Sequence, residues 1–194
     1  VSSTVVLAVL LAACGKADIA PAGDGAPDTK GASIADSVAT RAAAVPTRIA
    51  RPDSMRALYV NAWAAGSRSR MAELLRIADA TEINSFIIDI KESDTFLTYD
   101  STAIPIAREI GAHLRPATKW LPALVDTLNA HGIYSVARIV VFKDRMLAEK
   151  KPDMAIRHVN GGLWRDRKGG AWVNPYDRRV WDYNIAIAKE ALAM

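Results

Sequence analysis

From Met55 onward the apolar positions switch back and forth between two periods. Ala57 to Ala62 is a short apolar run without helical spacing, closed by Gly66 and Ser67, and it predicts a first strand and its loop. Over Ser69 to Ala80, Met71, Leu74, Leu75 and Ala78 recur at three- and four-residue steps, the stripe of an amphipathic helix. Ser85 to Ile90 is a second apolar strand. Residues 92–116 are irregular and polar, holding Asp94, Tyr99, Asp100, Pro105 and His113, with a short helical stretch from Ile104 to Ile110. Helical spacing returns over Thr118 to Ala130, with Trp120, Leu121, Leu124, Val125 and Leu128 on one side and His131-Gly132 as the stop. Ile133 to Val141 predicts a third strand, followed by a long polar-aromatic loop. Asn174-Pro175 then opens a last helix from about Tyr176 to Leu192.

Strand, helix, strand, helix, strand, helix implies an α/β fold with parallel pairing and right-handed crossovers. Near-continuous apolar strands imply burial on both faces. Asn61-Ala-Trp-Ala-Ala-Gly66, the turn after the first strand, lacks the spaced glycines of a dinucleotide fold, which favours a barrel. A (β/α)8 barrel has eight such units in about 250 residues, so the pattern reads as three N-terminal βα units of a longer TIM barrel. Two strand edges would stay open in such a piece.

Composition changes the picture at the N-terminus. The whole chain is 51% hydrophobic and 24% charged, ordinary globular values, but no Trp, Tyr or Phe precedes Tyr59. The first 58 residues therefore hold little from which to build a core. Val5 to Ala13 is an uncharged apolar run ending in small residues before Cys14, the layout of a secretory segment and its cleavage site, and too short for a span of about 20 residues. Leu11-Ala-Ala-Cys14-Gly15 resembles the lipobox of bacterial lipoproteins, whose cysteine is lipidated. The other reading is a plain signal peptide with an incidental cysteine, and the usual basic start is missing, since the chain opens Val-Ser-Ser. Cys14 is the one cysteine, so an internal disulfide is excluded. Residues 15–52, rich in Ala, Gly, Pro, Asp, Ser and Thr, read as a disordered tether with a mean reach of about 35 Å. The expected organisation is a lipoprotein signal peptide over 1–13, a lipidated cysteine and linker over 14–52, and a barrel domain over 53–194. A lipid anchor would place it on the membrane of the bacterial cell envelope, facing the periplasm or exterior.

Charge and motif content narrow the chemistry. The net charge of +4 is spread along the chain; Arg165, Arg167 and Lys168 form the densest basic cluster, and without a nucleic-acid fold signature they read as a solvated loop face rather than a nucleic-acid site. His113, His131 and His158 show no ligand spacing, and Ser67 and Ser69 have no evident triad partners, so neither a metal, a cofactor nor a serine nucleophile is expected. Barrel enzymes carry their chemistry at the C-terminal ends of the strands. There, Asp89 and Lys91 alternate onto one side of the second strand, either as a structural ion pair or as groups facing substrate. Arg138 of the third strand points to the same side, to clamp Asp89 or a substrate acid. Asp144 follows that strand. Glycoside hydrolysis needs two carboxyl groups about 5 to 9.5 Å apart. Asp89, Glu92, Asp94, Asp144 and Asp166 are available, with no pair marked by spacing. Trp164, Trp172 and Tyr176 offer flat rings for sugar faces, or, for the two tryptophans, clamps for their own loop.

Several motifs in order carry a family resemblance. Arg138-Ile-Val-Val-Phe-Lys-Asp144, Leu147-Ala-Glu-Lys150, Gly161-Gly-Leu-Trp-Arg-Asp-Arg167, Ala171-Trp-Val-Asn-Pro-Tyr176 and Val180-Trp-Asp-Tyr-Asn-Ile-Ala-Ile-Ala-Lys-Glu190, with Tyr59-Val-Asn61, Thr81-Glu-Ile-Asn84, Ile88-Asp-Ile-Lys91 and Thr98-Tyr-Asp100 upstream, resemble a bacterial glycoside hydrolase-like family with a TIM-barrel domain. The resemblance covers about residues 55–190. It implies a carbohydrate substrate and makes Asp89, Lys91, Arg138 and Asp144 mouth residues, with the catalytic carboxylates mostly on later strands. A non-catalytic carbohydrate-binding envelope lipoprotein is the alternative. The 194-residue chain alone is expected to lack glycosidase activity.

Overall fold

The computed structural model describes residues 48–93 and 96–194. The apolar run, Cys14, the tether up to residue 47 and Asp94 lie outside the described residues. Among the described residues no helix is long and apolar enough to cross a membrane.

The chain is a mixed α/β structure on a three-stranded sheet. β1 (Ala57–Val60), β2 (Ser85–Lys91) and β3 (Tyr134–Ile139) lie in that order with both pairings parallel, an arrangement compatible with part of a barrel. Ala57 to Val60 pair in step with Ser85 to Ile88, and Ser85 to Asp89 pair in step with Tyr134 to Arg138. A register irregularity then falls between Asp89 and Lys91. β2, in the middle, is buried at every position except Ile87, as its apolar run implies. β3 is not: at this edge strand Ala137 and Arg138 are exposed on opposite faces. On one face Ile88 and Ile90 share a groove with Leu121, Val125 and Leu192. The opposite face presents Tyr59, Asp89 and Arg138.

Side-chain capping sets several boundaries that periodicity missed. The expected loop after β1 holds a short helix, α1 (Ala62–Gly66), because the Asn61 side chain accepts a hydrogen bond from the Ala64 N–H. Ser67 then caps α2 (Arg68–Asp79), which buries Met71, Leu74, Leu75 and Ala78 as its stripe predicts. Between them Gly66 is required by space, since a Cβ there would lie 2.0 Å from the Ala117 carbonyl oxygen. α3 spans Pro105–Ile110. α4 (Leu121–Ala130) starts later than Thr118 because the Thr118 hydroxyl donates instead to the Ala62 carbonyl, 2.9 Å away, and its N–H to the Thr98 carbonyl.

β3 ends at Ile139 rather than Val141 for a similar reason. The Val140 carbonyl accepts from the Lys91 ammonium and the Val141 carbonyl from the Asn184 amide, so both leave the ladder pattern. The expected loop after β3 contains α5 (Arg145–Lys150), capped by Asp144, and three isolated antiparallel bridges: Ala155 to Val173, Arg157 to Leu163 and Arg165 to Ala171. α6 (Arg178–Ala193) begins at an Asp177 cap, two residues beyond the Asn174-Pro175 signal. Arg48 hydrogen-bonds to the Leu192 carbonyl, and Ile49 lines the groove beside it, so the chain meets α6 upstream of residue 53.

Candidate functional site

Two ionic clusters sit at the C-terminal end of β2, and they differ in access to solvent. In the first, Asp89 is 1% exposed although its partners are about half exposed. The Tyr59 hydroxyl donates to Asp89 Oδ2 and Arg138 Nη1 to Asp89 Oδ1, both at 2.5 Å. The Arg138 guanidinium also lies 5.5 Å from the Tyr59 ring centroid. Strand pairing produces this geometry: Asp89 is opposite Arg138, and Tyr59 is one pleat diagonal from Asp89 through its partner Ile87. The hydrogen bond to the Asp89 carboxylate, then burial, push the Tyr59 phenol above its usual range. The same carboxylate holds the Arg138 guanidinium above its ordinary value. With both oxygens engaged, one of them by a permanent cation, Asp89 is suited to fixing Tyr59 and Arg138 in place. The Arg138 side chain is 47% exposed.

The second cluster is sealed. Lys91 and Asp144 are both fully buried, with Nζ 2.7 Å from Asp144 Oδ2. Lys91 Nζ also donates to the Val140 carbonyl at 2.9 Å and to Asn184 Oδ1 at 3.2 Å, and stands 5.1 Å from the Tyr183 ring centroid. Asp144 Oδ1 accepts the Leu147 N–H at 2.8 Å, capping α5. Burial lowers the Lys91 ammonium below its usual range despite the opposing pull of Asp144. Burial also raises the Tyr183 phenol, with Asp144 adding to the effect.

Asp89 and Lys91 therefore go to different partners, and the expectation that both face an open mouth with Asp144 gives way to this division. Strict alternation predicted one shared side; the register irregularity between the two residues separates their surroundings. Lys91 and Asp144 tie the end of β2 to the β3–α5 turn and α6, out of reach of a ligand in this structure.

Above the strand ends lies a cleft of 730 Å³. Trp63 borders it from α1, Glu92 from just after β2, Arg115 from the segment before α4, Lys143 from the β3–α5 turn, Arg145 from the start of α5, and Lys168 from the later loop. Trp63 is 72% exposed. The Glu92 charge adds, as the smallest of the causes, to the upward shifts of Tyr59 and Arg138. Spacing had offered Glu92 as one carboxylate among several, and nothing in the sequence pattern separated it from the rest. Tyr59 was missed as a site residue, although its place at the end of a strand, level with the approach to Asp89, was readable.

The expected sugar-binding aromatics lie elsewhere. Trp172 is partly buried and donates its Nε1 hydrogen to Asp166 Oδ2 at 3.2 Å. Asp166 also pairs with Lys143 at 2.9 Å and accepts the Lys168 and Gly170 N–H groups. Lys143 first, then the Gly170 N–H, hold the Asp166 carboxyl well below the usual carboxylate range. Trp172 thus clamps its own loop. Trp164 is exposed on that loop, and Tyr176 is 90% exposed before α6; neither borders the cleft. Among the described residues no cluster of three or more His, Cys, Asp or Glu could hold a metal ion.

Comparison with known proteins places this geometry in a family. The crystal structure of a hypothetical protein from Ruminiclostridium thermocellum is similar to this chain, with a TM-score of 0.66 and 39% identity over 70% of each chain. No curated protein matches. Residues 57–194 match the family model described as "Putative glycosyl hydrolase domain", most of the chain and all three strands, and the chain belongs to that family.

Proposed function

We propose that this chain is the N-terminal part of a (β/α) barrel that binds and cleaves a carbohydrate outside the cytoplasm. The observation that carries the reading is the family match over residues 57–194. The position of the cleft supports it, since barrel enzymes act at the C-terminal ends of their strands. In this reading Glu92 is the carboxylate nearest the substrate, Arg138 and Tyr59 orient the sugar, and Asp89 holds those two in place. Lys91 and Asp144 support the turn beneath the cleft. Trp164 and Tyr176 serve sugar units outside it, stacking on ring faces, while Trp172 holds its own loop in shape.

Hydrolysis needs a second carboxyl group about 5 to 9.5 Å from the first, and we assign it to a further βα unit of a longer protein. The substrate class is a polysaccharide of the cell envelope, reached from a lipid anchor on Cys14 across the linker; incorporation of labelled palmitate, lost in Cys14→Ser, tests the anchor. A non-catalytic glycan-binding role is the second reading, favoured by the full engagement of both Asp89 oxygens.

The test is to mix the purified chain with a panel of polysaccharides and measure both retention and new reducing ends. Retention without cleavage is the expected result. Cleavage would place both carboxyl groups within the chain and overturn the assignment of the second one. Absence of retention on every glycan would overturn the carbohydrate reading.

A further inference from the structure

We infer that the cleft at the strand ends takes an acidic saccharide, one carrying carboxylate groups, rather than a neutral one; this rests on the carbohydrate reading above and names its substrate class. Four cationic side chains border the cleft, Arg115, Lys143, Arg145 and Lys168, against one described acid, Glu92. They arrive from three separate segments, so their convergence comes from the fold and is not a run of like charge in the sequence.

Several cations outside the cleft are answered by a carboxylate. Arg70, Lys91, Arg138, Lys151, Arg165 and Arg179 each face a carboxylate within 2.5 to 2.8 Å. In the cleft, among the described residues, Lys143 alone has such a partner, Asp166. Among the described residues Arg145 and Lys168 have no ion-pair partner, and Arg115 rests its guanidinium 5.5 Å from the Phe96 ring centroid. A concave wall concentrates the field of such a group and draws anions into it. Arg145 and Arg115 present planar forks that match a carboxylate, and Trp63, mostly exposed at the rim, offers a ring for the sugar face. A neutral glycan would use the ring and leave the cations unanswered.

The Lys143–Asp166 pair sets the floor of this charge. Gly170 packs directly on it, with space for a Cβ only 2.7 Å from Lys143 Cε, so the pair is held by the loop that also carries Lys168.

The experiment compares polygalacturonate, its fully methyl-esterified form and inorganic polyphosphate as ligands for the chain, by calorimetry or fluorescence at low and moderate salt. The acid form is expected to bind about tenfold more tightly than the ester, with the advantage shrinking as salt rises. Arg145→Gln with Lys168→Gln, both at exposed positions and outside the hydrogen-bond networks of the fold, is expected to lower affinity for the acid form about tenfold and to leave the ester unchanged. Trp63→Ala is expected to weaken both sugar polymers. Equal binding of acid and ester overturns the inference while keeping the carbohydrate reading. Polyphosphate binding as tight as polygalacturonate overturns it in favour of a plain anion patch. Binding to none of the three overturns the inference; the glycan panel above separately decides the carbohydrate reading.

Discussion

Asp89 and Lys91 stand two residues apart on one strand, both buried and both ion-paired, yet one pair opens on solvent through its partner and the other is enclosed. Asp89 meets an Arg138 side chain that is 47% exposed, whereas Lys91 and Asp144 are both fully buried. The difference follows from what each pair connects. Asp89 joins β1 to β3 across a face of the sheet where Tyr59 and Arg138 stay about half exposed. Lys91 joins β2 to a capped turn and to α6, so backbone carbonyls and aromatic carbon close around it. An enclosed pair holds a turn in place, and a half-open pair can hand its spare donors to a ligand. Burial of a charge near a strand end is therefore by itself no sign of catalysis.

The sharpest way to break this contrast is Lys91→Met. It leaves the Asp144 carboxylate enclosed without its cation and is expected to cost about 3–5 kcal/mol in urea unfolding. Adding Asp144→Asn, which keeps an acceptor for the α5 cap, is expected to recover at least half of that loss. A double variant no more stable than the single one would show that charge pairing is not what secures the turn.

Arg138→Gln is expected to cost less, about 1–2 kcal/mol, because solvent reaches the pair and compensates part of the lost contact. Its larger effect should fall on glycan retention. Equal destabilisation by Arg138→Gln and Lys91→Met, measured side by side, would erase the distinction between open and sealed. Tyr59→Phe removes one donor from Asp89 and is expected to cost about 1 kcal/mol, with Arg138 still in place.

The smallest effect concerns pH. The folded Asp166 carboxyl titrates below its unfolded value of about 3.9, so its contribution is complete above that value and is lost as pH falls through the lower folded one. The Trp172 indole N–H resonance, reporting the hydrogen bond to Asp166, is expected to persist at about pH 4 and to fade only under more acid conditions. Loss of that resonance between pH 6 and about pH 4 would contradict the sign.

Much of this architecture was legible in one dimension. The stripe of Met71, Leu74, Leu75 and Ala78 and the apolar run of β2 reported burial, which is a property of local periodicity, whereas the apolar run of β3 ended up half-buried to exposed at the sheet edge. The missed boundaries all involve side chains bonding to backbone: Asn61 and Asp144 starting short helices, Thr118 spent on Ala62, Lys91 and Asn184 drawing carbonyls from the end of β3. The longer of these bonds reach partners up to 56 residues away, as for Thr118 and Ala62, and leave no periodic trace.

The alternation of strand and helix, the parallel order it requires, the core stripes and the family motifs are properties of the residue string, because each arises from neighbours within one element or one connection. Which carboxylates are enclosed and which cations share the cleft with Glu92 were decided by tertiary structure alone. Those facts turn on one register irregularity in β2 and on the meeting of segments far apart in the chain, and the desolvation that sets the chemistry of a charge exists only once those segments have met.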